Sequence, residues 1–399
     1  MADETDIVLD RVRPWGGAET RLVIRDGRII DDAAAEGARV IDGGGMLALP
    51  GLVDAHCHID KTLLGTGWHA HRAGPTVPDL ISNERAVLSE MGHSPAIQSA
   101  RVIDRMAARG TTHCRTHVDI GPEIKLQHFH GVCETRERLA DRMTVQIVAF
   151  PQTGVMTAPG TLDLLDQACA EGAEVLGGLD PIGIDRDPVG QLDGLFAIAE
   201  RRGVELDIHL HDRGELGAVT IEMLHERTRA LGMKGKVALS HAFCLGSVPD
   251  ARLDVLIGKL LDQDIAIMTH GPSGTTPFPP VRRLHDAGVR LFTGSDGVRD
   301  AWGPLNSGDM LERAFLVAYR NGFRRDPDIE LCLHMATGFG AAIMGAADHG
   351  LAPGCAADLV LVEAETVAEA VVEHPRRALV MKGGRTVAEN GTLRLPPAV

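Results

Sequence analysis

The chain has 399 residues, 44% hydrophobic and 24% charged, the composition of one large or two ordinary folded domains. A net charge of −15 argues against a nucleic-acid or anionic-membrane partner, since either needs a basic face. Aromatics make up only 3% of the residues, so the core has to be mainly aliphatic.

The opening MADETDIVLD is acidic and lacks the apolar stretch of a signal peptide. The seven cysteines are scattered, odd in number and never spaced CxxC. They read as reduced thiols of a cytoplasmic protein. No apolar run approaches the length of a membrane helix.

Residues 5–49 carry short β-rich runs (TDIVLDRV, TRLVIRDGRII, ARVIDGGGMLALP) punctuated by RDG and GGG turns. From residue 51 the pattern changes. Apolar runs recur at VDAHCHI, THCRTHVDI, TVQIVAF, AEVLGGLD, ELDIHLH, KVALSHA, IAIMTHG and RLFTGSD. Between them lie stretches of helical period such as SPAIQSARVIDRMAARG and QLDGLFAIAERRG. Eight strands alternating with helices predict an α/β fold, a (β/α)8 TIM barrel spanning 51–349. No GxGxxG follows the first strand, which argues against a dinucleotide fold. After a Pro-rich loop at 274–281, the C-terminal runs ADLVLVEAE and RRALVMKGGRTVAENGTLRL return to β character. Residues 1–50 and 350–399 are expected to form one small β-sandwich domain from both termini.

Barrel chemistry sits at the C-terminal ends of the strands, and polar residues collect there. The first strand ends in His56 and His58, which alternation turns to one side, away from Cys57. The second ends in Arg115, His117 and Asp119, and the third in Gln152. The fifth ends in His209, His211 and Asp212, and the last three in His241, His270 and Asp296. His56, His58, His209 and Asp296 can together supply nitrogen and oxygen ligands to one divalent ion while leaving a position for water. Zinc is expected, and iron or manganese suits the same donors. The fourth run, AEVLGGLD, lacks the lysine that a carboxylate-bridged dinuclear site needs, which favours a single ion.

HCHIDKT, RTHVD, IVAFPQTG, HLHD, SHA and GSDGVRDAWGP follow one another in an order and spacing that resemble the amidohydrolase superfamily, and within it the cytosine deaminase-like group. The resemblance covers nearly the whole chain. It implies that His56, His58, His209 and Asp296 are the metal ligands, Asp296 also serving as general base. It makes His241 a catalytic histidine at the attacking water, Gln152 a substrate contact, and Asp212 a proton shuttle. Lys61 and His211 match triazine-processing members as substrate contacts, and Trp302 is a candidate pocket wall. Asp212 is one methylene shorter than the glutamate of cytosine deaminases. Gly297 stands where they carry a second aspartate. Both departures point away from cytosine itself.

The implied activity is hydrolytic removal of an amino or alkylamino group from a small nitrogen heterocycle, a pyrimidine or an s-triazine. The alternative is a cyclic amidohydrolase that opens a ring amide, which the missing strand-four lysine disfavours. A non-enzymatic scaffold would be expected to have lost metal ligands, and none is lost. Partners are expected to be the small-molecule substrate and further copies of the chain in a homo-oligomer. Arg115, His117 and Asp119 read as a supporting polar layer, and His69, His71, His128 and His130 as solvated or lid residues.

Overall fold

The computed structural model describes residues 6–31 and 37–399. The acidic opening residues 1–5 and the segment 32–36, both in the expected terminal domain, lie outside them.

The first sheet draws on both ends of the chain. Its N-terminal strands are β1 (Ile7–Pro14), β2 (Thr20–Arg25), β3 (Arg28–Ile30), β4 (Arg39–Asp42) and β5 (Leu47–Pro50). The second sheet follows at once with β6 (Leu52–His58), β7 (Thr111–Asp119), β8 (Thr144–Phe150), β9 (Val175–Leu179) and β10 (Glu205–His209). It continues through β11 (Val237–Ser240), β12 (Ala266–Met268), β13 (Leu291–Phe292) and β14 (Asp296–Gly297). The chain then returns to the first sheet with β15 (Leu359–Val362), β16 (Arg377–Lys382), β17 (Arg385–Glu389) and β18 (Thr392–Leu393).

Strands β6 to β14 form a nine-stranded sheet in which every pairing is parallel. The segment 291–297 stands at both of its edges. β13 pairs with β12, and β14 pairs with β6 through Asp296 and Cys57. Between them the Ala55 amide donates to the Thr293 carbonyl at 3.2 Å. The result is a mixed α/β fold around a curled parallel sheet. At Gly294 a Cβ would run into the His56 backbone, so the last strand approaches the first closely only because that residue is glycine.

β6 and β7 are buried along their whole length, as expected for parallel strands covered on both faces. Helices supply the cover, among them α2 (Pro95–Ala108) and α3 (Gln127–Arg138), while the preceding α1 (Val77–Glu90) packs Ile81 against Phe150 and Leu179. α2 starts where the Ser94 side chain accepts from the Ile97 amide and Pro95 takes the first turn, both favourable at an N-terminus. Fully buried Phe129 and Phe150 each contribute about 1.5–3 kcal/mol through removal from water. α1 is absent from the periodicity reading for a physical reason. It buries only Ile81 and Glu84, too few to make an apolar stripe. It is held instead by a Thr76–Asp79 capping box.

The terminal sheet sits under the N-terminal end of the parallel strands. Gly51 donates to the Asp358 carbonyl at 2.8 Å, and the buried Arg377 guanidinium donates to the Arg109 carbonyl at 2.8 Å. His113 lies in this junction, its Nε2 3.9 Å from the Asp358 carboxylate that also binds Lys382 at 2.5 Å. Burial, aided by Lys382, pushes the imidazole down from 6.5 to about 3. The folded chain therefore keeps His113 neutral where the unfolded chain protonates it, so its contribution to stability is lost as pH falls below 6.5. His113→Gln is expected to flatten the stability decline between about pH 6.5 and 3, measured as the difference in urea denaturation free energy between the two proteins across that window.

Candidate metal centre and active site

Five donors converge at the C-terminal ends of the parallel strands. β6 contributes His56 and His58, β10 ends on His209, His241 follows β11, and Asp296 opens β14. His58 Nε2 lies 3.3 Å from His209 Nε2 and 3.4 Å from Asp296 Oδ1. His56 Nε2 lies 3.6 Å from the same carboxylate oxygen. One donor atom each from His56, His209, His241 and Asp296 fit within 4.8 Å of one another.

The other ring nitrogens show which lone pairs are free. His58 Nδ1 is 3.1 Å from the His117 carbonyl, which only accepts, so Nδ1 carries the hydrogen and Nε2 is a bare donor. Ser240 Oγ donates to Asp207 at 2.7 Å and stands 2.9 Å from His56 Nδ1. His56 Nδ1–H therefore donates to Ser240, and His56 Nε2 also faces the centre bare. His56 Nε2 and His241 Nε2 are buried without a hydrogen-bond partner among the described residues. Burial holds His56, His209 and His241 below the ordinary imidazole range, so their nitrogens stay neutral ligands. Burial opposes ionisation of Asp296, but the surrounding histidines outweigh it and keep the carboxylate charged. Three or four neutral imidazoles and one carboxylate fit a divalent cation with a position left open.

His241 and Asp296 have φ of 71° and 62°, left-handed values that non-glycine residues rarely adopt. Such strain persists where the surroundings over-determine it, and it concentrates at functional sites. Behind the donors, Asp207 binds Arg115 Nη1 at 3.2 Å and lies 3.8 Å from His117 Nε2. Ser240 thus links His56 to a buried ion pair that fixes its ring.

A cavity of about 660 Å³ opens over the donors, walled by Phe150, Leu179, Trp302, Pro304 and Leu316. Lys61, Gln152, His211 and His270 reach it with polar groups. Lys61 is buried, with Nζ 3.0 Å from Asp119 and 3.5 Å from Glu84. Burial opposes its charge, but these carboxylates raise its pKa and keep it protonated. His211 stacks on His241 at 4.5 Å, and its Nδ1 is 2.7 Å from Asp180. Against the effect of burial, Asp180 raises the His211 pKa. Asp212 is turned elsewhere, accepting from the Gly183 amide at 2.9 Å, and is not among the residues that line the cavity. His270 Nδ1 lies 3.2 Å from His241 Nδ1.

The amidohydrolase family matches residues 39–388 of this chain. The chain belongs to that family. It is 32% identical to the N-isopropylammelide isopropyl amidohydrolase of Pseudomonas sp. (strain ADP), over 88% of each chain. It superposes on the crystal structure of N-isopropylammelide isopropylaminohydrolase from Burkholderia multivorans ATCC 17616 with a TM-score of 0.94 and 44% identity, covering 98% of this chain and 100% of that one. The 5-methylcytosine deaminase of Klebsiella pneumoniae, liganded with 5-fluorocytosine, superposes with a TM-score of 0.85 and 26% identity over 98% and 99% of the two chains. As a member of this amidohydrolase family the chain is a hydrolase acting on carbon–nitrogen bonds, with a His/Asp cluster that could hold a metal ion.

The structure gathers His56, His58, His209, His241 and Asp296 at one centre, with Lys61, Gln152, His211 and Trp302 around the cavity above it. His128, expected to be solvated, is 7% exposed and binds Asp60 at 2.8 Å, because α3 packs its first turn against the segment after β6. Asp207, Ser240, Asp180 and Glu84 escaped the sequence reading. Asp207 had a signal, since it stands two residues before His209 and alternation puts both on one face. Asp207→Asn and Ser240→Ala are each expected to weaken metal affinity by about 10–100-fold, as loss of a ligand's hydrogen-bond partner does. His56→Ala should abolish stoichiometric binding, and chelator competition measures all three.

Proposed function

We propose that the chain is a mononuclear metal-dependent aminohydrolase that removes an amino or alkylamino group from a small nitrogen heterocycle, a pyrimidine or an s-triazine. The observation that carries this reading is the convergence of bare, buried imidazole nitrogens and one carboxylate below a cavity whose polar groups come from Lys61, Gln152 and His211. The relatives' substrates, N-isopropylammelide and 5-methylcytosine, are rings of that kind. The curled sheet is read as a (β/α)8 barrel over 51–349, and the terminal sheet as a small sandwich formed by 1–50 and 350–399. Zinc is the proposed ion, the chain is read as cytoplasmic, and assembly into a homo-oligomer is expected of it.

His56, His58, His209 and Asp296 would hold the ion. When bound, a divalent ion supplies Lewis acidity that brings the pKa of a water towards neutrality. Asp296, ionised among the histidines, accepts the proton of the attacking water. His241 steadies the charge that develops as the ring carbon becomes tetrahedral. His211, which lines the cavity and is kept readily protonated by Asp180, delivers a proton to the departing nitrogen. Asp212 supports this step from behind through the loop it holds at Gly183. Gln152 and Lys61 hold the far edge of the ring, and Trp302 covers one wall.

The protein loaded in turn with Zn²⁺, Fe²⁺ or Mn²⁺ should release ammonia or an alkylamine from a panel of aminopyrimidines and amino-s-triazines. Asp296→Ala and His241→Ala should each lower kcat by about 10²–10⁴-fold. Formation of a new carboxylate without amine release would instead establish ring opening and overturn the reading.

A further inference from the structure

Of the buried charged residues around the cavity, Glu84 has no place in the reaction just described. It is one of two side chains that α1 buries, and it is 1% exposed. A carboxylate is rarely buried without a paired role. Glu84 Oε1 accepts from Gln152 Nε2 at 3.3 Å, and Oε2 lies 3.5 Å from Lys61 Nζ. Both partners line the cavity. One carboxyl group, carried by a helix outside the sheet, therefore touches the two side chains that face the far edge of the ring.

We propose that Glu84 is a positioning residue that makes the cavity select rings carrying a secondary-lactam edge, a ring N–H beside a ring carbonyl. The proposal rests on the aminohydrolase reading and deepens it. The amide of Gln152 has a donor end and an acceptor end of almost the same shape. Glu84 Oε1 accepts, so it takes the NH₂ end and leaves the amide oxygen to the cavity. Lys61 can only donate. Asp119 at 3.0 Å fixes its ammonium on one side, and the rings of Phe150 and Trp302 stand 5.9 and 6.0 Å from it. The wall thus shows an acceptor and a donor referenced to a single carboxyl group. A lactam edge meets both: its N–H donates to Gln152 and its carbonyl accepts from Lys61. A bare ring nitrogen would set lone pair against lone pair, and an N-methyl lactam would bring a methyl group to the same oxygen. Burial pushes the Glu84 carboxyl up, against the Lys61 ammonium beside Oε2. The carboxylate that Lys61 holds presents Oε1 only as an acceptor, and this form sets the amide.

The test compares two rings with the same leaving amine, one with the lactam N–H and one N-methylated there, on the metal-loaded wild type, Glu84→Gln and Glu84→Ala. Wild type should favour the N–H ring by about 10²-fold or more in kcat/KM, since a site built to bond an N–H rejects an analogue that lacks it. A glutamine at 84 can offer either end to Gln152, so the Gln152 amide is free to turn over. In both variants the preference should fall about 10-fold or more, chiefly through KM for the N–H ring. An equal loss on both rings, with the preference intact, would reduce Glu84 to a structural residue and overturn the proposal. Should the variants fail to fold, unreactive lactam and N-methyl lactam inhibitors of the wild type decide it, and equal inhibition constants overturn it. A wild type that binds metal but releases amine from neither ring would overturn the aminohydrolase reading, and this proposal with it.

Discussion

The structure depends on one electrostatic constraint: an ionised carboxylate and several buried, neutral imidazoles meet at a single point. Each buried polar atom without a hydrogen bond costs about 1–3 kcal/mol, and His56 Nε2 and His241 Nε2 both lack one. Asp296, ionised beside them, has His58 and His56 Nε2 at 3.4 and 3.6 Å and keeps about a third of its side chain open to the cavity. A divalent cation at this point would relieve these penalties together. The ligand geometry and the strained backbone at His241 and Asp296 are consistent with that one occupant.

The layer behind the donors follows from the same constraint. A metal-ligand imidazole has to have its second nitrogen fixed, or its lone pair points anywhere. His58 is fixed by a backbone carbonyl and His56 by Ser240, which leans on the Asp207–Arg115 pair. Farther out, Asp60 binds His128, Asp119 binds Lys61, and Asp180 binds His211. Buried ion pairs such as these add little net stability, because desolvation offsets their attraction. What they contribute here is orientation, since Asp119 and Asp180 each hold a cavity residue, Lys61 and His211, in a single rotamer.

The sequence made the strands and the donors legible because both obey short-range rules. Strand β6 was readable because alternation sets His56 and His58 on one side and leaves Cys57 on the other. The end-of-strand position of His209, His241 and Asp296 followed from the order of apolar runs alone. Helix α1 was not legible, since it buries only Ile81 and Glu84 and is set by a capping box that no periodicity reveals. His128 was misplaced for a related reason. Its burial depends on Asp60, 68 residues away, and no local pattern carries that distance. Glu84, Asp180 and Ser240 were hidden likewise, because each acts through a side chain contributed by another strand or helix.

The glycine after Asp296 shows how a side chain three residues on can fill the space that a missing one leaves. At position 297 the cytosine deaminase-like pattern carries an aspartate, and here a side chain is missing. A Cβ at Gly297 would collide with the carboxylate of Asp300, so that carboxylate already fills the space. Asp300 lines the cavity, is 4% exposed, and accepts from the Trp302 and Gly303 amides at 2.9 and 3.0 Å. Burial pushes its pKa up, against these two donors. The site therefore keeps an acidic group at this end but supplies it from the following turn. The same turn sets Trp302 beside Lys61, so the glycine, Asp300 and the aromatic wall form one structural unit. A side chain at position 297 would press on the Asp300 carboxylate and, through that turn, on the wall.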